Sequence, residues 1–198
     1  MAAQVIDIKC PNCGGAVDTG QKTCKYCKQP VIISTFNSVH AMPMPTLNKY
    51  SGAYKKMLDE HPDNVEINMS IGMCYLKLKM HDKAREAFEK AMENNFDNSE
   101  TFFYSAICLL GGKKAFAASK PTIDKILEYV NAAVMIEPKG IYYYLLAYVK
   151  YDYFKRKMLN APAPAYEETL VMANQAGVSA FDIEQLYEIL GVARPDVL

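Results

Sequence analysis

Charge of neither sign is in excess in this sequence: 22 lysines and arginines face 22 aspartates and glutamates. That balance argues against a chain that works on nucleic acid or anionic lipid through its overall field, and leaves only local patches to weigh. Long apolar runs are also missing. Ile141–Val149 is among the longest, and it is too short and too tyrosine-rich to span a bilayer. The opening residues, MAAQVIDIKC, hold no basic run followed by an apolar core. No secretory leader is therefore expected, and the chain reads as cytoplasmic. Catalytic signatures are absent as well. The three histidines, His40, His61 and His81, fall in a linker, at a helix end and in a turn, with no H-E-x-x-H among them. There is no G-x-S-x-G, and Lys113, Lys114 and Lys120 stand in no phosphate-loop spacing, so they read as a solvated loop. No enzyme is expected. What remains, with 51% apolar residues in 198, is an ordinary folded chain with room for one substantial core and a small appendage.

The appendage is marked by cysteine. Four of the six cysteines form two C-x2-C pairs, Cys10/Cys13 and Cys24/Cys27, within KCPNCGGAVDTGQKTCKYCKQPV. Each pair can form a tight knuckle aiming two thiolates at one point, and two knuckles complete a tetrahedral four-sulfur site suited to one structural Zn2+. The Asp-x-Gly chemistry of the intervening AVDTGQKT predicts a short hairpin turn. The segment resembles the small zinc ribbons of the C-P-N-C-G…C-x-x-C-G type. Pro11 and Gly14 complete the first knuckle, whereas Lys28 stands where the second usually has glycine. A segment of this size has almost no core, so metal must supply its stability. Residues 1–30 hold four lysines and two aspartates, and zinc with four thiolates offsets their excess charge. Lys9, Lys22, Lys25 and Lys28 thus read as compensation for the thiolates, with only Tyr26 able to stack on a base. Cys74 and Cys108 read as small core hydrophobes inside helices.

Val65–Asn98 organises the rest. Counting Val65 as position one, Ile71, Gly72 and Tyr75 fall on an L-G-x2-Y element, and Ala84, Phe88 and Ala91 on A-x3-F-x2-A. This pattern resembles a 34-residue tetratricopeptide repeat (TPR), with Asn68 replacing the usual aromatic and Phe96 the terminal proline. Small Gly72, Ala84 and Ala91 let two helices approach, while Tyr75 and Phe88 fill the space between them. Such a unit needs neighbours to bury its apolar face. Tyr50, Tyr54, Met57 and Pro62 match a preceding second helix, Leu47–Glu60, after a linker that Met42-Pro43-Met44-Pro45 keeps extended. That linker carries more apolar residues than a tether needs, so it is expected to lie against the helical body. Phe102, Ala106 and Leu109 restart the period, and the second helix follows after eight inserted residues within Gly111–Pro121. A third unit begins at Ile141 with Tyr144, Ala147, Tyr148 and Tyr151, the bulky Tyr148 placing close approach of its helices in question. Lys155, Arg156 and Lys157 close its first helix. The insertion APAPA precedes a helix with Tyr166, Leu170 and Ala173, and a last helix, Asp182–Leu190, is expected as the terminal cap.

The fold class expected is therefore mostly α: a TPR-like α-solenoid of helical hairpins preceded by a small β zinc ribbon. Its domains would be the ribbon at 1–31, a linker at 32–46 and the helical repeats at 47–198. In such repeats the first helices face a concave groove, and positions 5 and 9 there read Met69, Met73, Phe103, Ile107, Leu145 and Val149. That apolar face suits an amphipathic helix or apolar peptide of a protein partner, unless the chain's own linker or last helix fills it. The function expected is a non-enzymatic adaptor or scaffold. The alternatives are a nucleic-acid-associated factor using the ribbon with Lys113 and Lys114, or a redox switch that ejects zinc when the thiolates oxidise.

Overall fold

The structure, a computed structural model, describes residues 5–198. Residues 1–4, part of the expected ribbon and of the opening segment read for a leader, lie outside the described residues. The fold is mostly helical, and it divides into two compact units, Met1–Phe96 and Asp97–Leu198.

The first unit opens with a two-stranded antiparallel sheet. Strand β1 (Asp7–Lys9) pairs with β2 (Ala16–Asp18), placing buried Ile8 opposite buried Val17. The expected Asp-x-Gly turn exists, with Gly20 N–H donating to Asp18 Oδ1 at 2.9 Å, but it comes after β2 rather than joining the strands. The join is the Cys10–Gly15 knuckle. After the ribbon, a short helix α1 (Asn37–His40) interrupts the segment expected to be extended. Helix α2 (Met44–Glu60) starts before the expected Leu47, because Pro45 sits in its first turn, where a missing N–H costs no helical hydrogen bond. Helices α3 (Val65–Lys77) and α4 (His81–Asn94) complete the unit. Asn64 caps α3 by accepting from Ile67 N–H at 3.0 Å. Asn68, in place of an aromatic, donates from Nδ2 to the carbonyls of Pro62 and Asn64 at 2.8 and 3.0 Å, tying the turn to the helix. A Cβ on Gly72 would lie 2.5 Å from the Phe88 ring, so glycine is what lets α3 and α4 meet.

The second unit pairs α5 (Ser99–Leu110) with α6 (Lys120–Ile136), and α7 (Gly140–Val149) with α8 (Tyr166–Gln175). Gly111, in left-handed conformation at φ 57°, ends α5. The inserted residues hold a 3-10 turn, Ala115–Ala117, and Ser119 caps α6 by accepting from Thr122 N–H. Helix α7 runs on as a π-helical segment, Lys150–Lys155. The last helix, α9 (Ala180–Leu190), begins two residues earlier than expected. Ser179 and Asp182 form its capping box, not Asp182 and Gln185. Tyr148 does not hold the α7–α8 pair apart. Its hydroxyl accepts from Ala115 N–H at 3.4 Å and its ring meets Tyr187 edge-on at 5.6 Å.

The close approach in that pair is at Gly140, where a Cβ would lie 2.5 Å from the Val178 nitrogen and 2.8 Å from the Ala173 carbonyl oxygen. These are backbone atoms, which cannot swing aside. Gly140→Ala is therefore expected to cost about 2 kcal/mol and lower the melting temperature by roughly 10 °C. Gly52→Ala, in the middle of α2 with nothing within 4 Å of the new carbon, serves as the unhindered control and is expected to melt slightly higher, since alanine favours helix. Equal melting of the two variants would refute the close-approach argument.

Candidate metal centre

The two cysteine pairs fold into equivalent knuckles. In the first, Gly14 N–H donates to the Cys10 carbonyl at 2.9 Å, and Cys10 N–H donates to the Gly15 carbonyl at 2.9 Å. In the second, Lys28 N–H donates to the Cys24 carbonyl at 3.0 Å, and Cys24 N–H donates to the Gln29 carbonyl at 2.9 Å. Both turns need a left-handed residue, Gly14 at φ 76° and Lys28 at φ 59°. Lys28 adopts the conformation the turn demands despite its side chain, whose ammonium donates to the Lys25 carbonyl at 3.0 Å. Left-handed backbone disfavours any residue with a Cβ, so Lys28→Gly is expected to stabilise the chain by about 1 kcal/mol. A thermal melt that fell instead would show that the lysine contact outweighs the strain.

The knuckles bring the four sulfurs together, all within 4.8 Å of one another. Cys10 Sγ lies 3.7 Å from Cys27 Sγ, and Cys13 Sγ lies 3.7 Å from Cys24 Sγ. These separations are too long for disulfides and match the roughly 3.8 Å edge of a tetrahedron with metal–sulfur bonds of about 2.3 Å. The donor set is compatible with a metal site. Backbone donors favour thiolates there: the Gln29 N–H pulls Cys27 down to about 6, and the Cys27 N–H pulls Cys24 below the usual thiol range. Burial pushes Cys10 the other way, up to about 11. Neutral thiol at Cys10 would be replaced by thiolate on binding a cation, as metal ligation deprotonates sulfur.

Helix α2 holds the ribbon. Tyr50 and Tyr54, both fully buried, donate to the carbonyls of Pro30 and Val31 at 3.0 and 2.7 Å. Lys49 Nζ meets the backbone carbonyl of Asn12 and its Oδ1, the latter at 3.3 Å. Between β1, the first knuckle and α2 lies a cleft of about 840 Å³, lined by residues that include Lys9, Pro11, Lys49, Lys56, Met57 and His61. Tyr26 packs over Gly15, where a Cβ would come within 2.5 Å of the ring, and Lys25 Nζ sits 5.1 Å from the ring centre. The one aromatic candidate for base stacking thus rests on the ribbon while staying 60% exposed.

The six groove candidates take a different place from that expected of an open surface. Met69 and Met73 on α3 are 3% and 0% exposed, Phe103 and Ile107 on α5 are 5% and 1%, and Leu145 and Val149 on α7 are both 0%. They are core residues here. Helix α1 packs on α3, and Ile33 N–H donates to Ser70 Oγ of α3 at 2.9 Å, with Ile33, Phe36 and Val39 buried. In the second unit α9 packs on α5 and α7. The chain's own segments, expected as one of two occupants, lie on these helices. Cys74 and Cys108 are buried as expected, and burial pushes the Cys74 thiol up to about 12. His81 heads α4, with a buried Nδ1 that meets no hydrogen-bond partner among the described residues, while His40 and His61 end α1 and α2. The histidines do not converge.

Sequence reasoning missed one polar anchor. Asp152, 1% exposed, accepts from Phe116 N–H at 2.7 Å and pairs with Arg156 at 2.5 Å, stapling the inserted loop to the π-helical segment. No motif marks it, since KYDYFK reads as plain helix.

Residues 52–101 match the tetratricopeptide repeat family. The match spans α3 and α4 with their flanks, and so includes the Gly72–Phe88 contact that the repeat spacing predicted. Among solved structures, MamA MSR-1 C2 aligns with 69% of this chain and 78% of its own, at 18% identity and a TM-score of 0.46. No curated protein sequence matches the chain. No helix among the described residues is long and apolar enough to cross a membrane.

Proposed function

We propose that this protein is a non-enzymatic interaction adaptor or scaffold, in which a four-cysteine zinc ribbon forms one structural body with a TPR-like hairpin. The tetratricopeptide match suggests protein interaction. The observation that carries the finer reading is the convergence of four sulfurs on knuckles anchored to α2 through Tyr50 and Tyr54. Cys10, Cys13, Cys24 and Cys27 would hold one zinc, which supplies cross-linking to a segment with little core of its own. The contact surface would be the ribbon–α2 cleft, whose lysines and Met57 offer mixed polar and apolar footing to a protein partner. The six positions expected to line a groove are buried, with α1 packed on α3 and α9 on α5 and α7, and so offer no open surface to an apolar helix. A cytoplasmic setting suits free thiolates. Nucleic-acid binding through the ribbon is not favoured, because Tyr26 is the one aromatic side chain of residues 1–30 and the cysteine thiolates offset the lysines there.

The test is zinc analysis of freshly purified, reduced protein, followed by partner capture with wild type and a Lys56→Glu, Met57→Glu variant. One zinc per chain, and a partner held by wild type but lost by the variant while zinc is retained, is the expected result. Zinc-free protein, or capture indifferent to the cleft, would overturn the reading.

A further inference from the structure

Two stretches read separately in the sequence as a solvated loop and a helix end come together in the second unit. Phe116 N–H is held by Asp152 at 2.7 Å and Ala115 N–H by Tyr148 at 3.4 Å, which lays the inserted loop on the π-helical segment. The Arg156 guanidinium then stacks 4.7 Å over the Phe116 ring, with Lys157 Nζ at 5.1 Å, and Lys120 Nζ lies 5.6 Å over Phe154. These contacts bring Lys120, Arg156 and Lys157 together, and Lys113, Lys114 and Lys155 flank them closely along the chain. Asp152 is buried under Arg156 and Asp124 pairs with Lys120, which leaves cations in clear excess.

The same patch carries unsheltered apolar side chains. Met158 is 95% exposed, Leu159 47% and Phe116 41%. Met158 holds the left-handed position, φ 56°, of a turn closed by its own N–H to the Lys155 carbonyl at 3.1 Å and by Leu159 N–H to the Phe154 carbonyl at 2.9 Å. A turn of this kind favours glycine, yet here it presents a large apolar side chain to water.

We infer that this face docks peripherally on a bilayer surface rich in anionic lipid headgroups. Phosphates and carboxylates of the headgroups meet these cations, while Met158, Leu159 and Phe116 enter the boundary between headgroups and acyl chains. Charge complementarity alone would also fit an acidic peptide or a nucleic acid, but the carboxylates or phosphates that meet the cations give Met158, Leu159 and Phe116 no apolar cover. A bilayer interface satisfies both halves of the patch at once. With no helix able to cross among the described residues, the association is with the surface.

The experiment is cosedimentation of the full chain with vesicles of phosphatidylcholine alone or mixed with phosphatidylserine. Binding is expected only to the mixed vesicles, weakening as salt shortens the Debye length. Each basic residue at such a surface contributes roughly fivefold, so K113Q/K114Q/K157Q should weaken binding on the order of a hundredfold. Met158→Gly relaxes the turn, so it should melt no lower than wild type, yet bind the mixed vesicles several-fold more weakly. No binding of wild type to the mixed vesicles would overturn the proposal. So would retention of full binding by Met158→Gly while the lysine variant loses it, since that pattern marks a purely electrostatic site for an acidic polymer.

Discussion

Replacing Met73 and Ile107 together by glutamate is expected to unfold the protein rather than disable a binding surface. Met73 is 0% exposed and Ile107 1%, so each carboxylate would enter a dry site with no arranged partner. An uncompensated buried charge costs about 3–5 kcal/mol, and a domain has only about 5–15 kcal/mol in total. Each single variant should therefore lower its own unit's stability severely, Met73→Glu in the first and Ile107→Glu in the second. The loss should depend on pH with a definite sign. Burial raises the folded carboxyl above its unfolded value of about 4.3, so the destabilisation is full at neutral pH and shrinks as pH falls. Thermal melts across that range would show it. A double variant melting like wild type would mean that these positions are open after all.

If the four cysteines hold zinc as proposed, stripping it by chelation or by Cys24→Ser should reach further than the ribbon. Were the ribbon a tethered appendage, it would be lost without consequence for the helices. The structure instead runs the hydroxyls of Tyr50 and Tyr54 into the carbonyls of Pro30 and Val31, with both rings fully buried. Losing a metal that contributes on the order of 10–16 kcal/mol in zinc-finger peptides would release those carbonyls and uncover both rings. Each unmet hydroxyl then adds about 1 kcal/mol. Hydrogen exchange should rise across residues 7–31 and along α2, while α5–α9 keep their protection. Tyrosine emission offers a second readout, since the chain has 14 tyrosines and no tryptophan. Exchange confined to residues before Val31 would restore the tethered picture.

What could be read in advance was what a periodic sequence encodes. Repeat spacing identified Gly72 and Phe88 as partners because their contact lies within one hairpin. It also named the positions that first helices turn toward a groove, but spacing cannot say what lies on them. Segments packed on those helices, α1 with its flanks and α9, obey no repeat period. The cysteine knuckles were readable because ligand geometry is local. Their attachment to α2 was not, since it rests on side-chain hydroxyls reaching carbonyls about 20 residues away. The start of α2 departs from the expected Leu47 because Pro43 caps the helix and Pro45 sits in its first turn, where a proline leaves no helical bond unmade.

The π-helical segment at Lys150–Lys155 sets the direction of the side chains beyond it. Arg156 N–H reaches back five residues, to the Tyr151 carbonyl at 3.1 Å, instead of four. One extra residue in a turn rotates every later side chain by about 100° around the helix axis. Without that added residue, Arg156 would point elsewhere and could not stand over Phe116. The widened turn thus acts as a phase shifter, aiming the end of α7 at a loop that the 34-residue period has no place for.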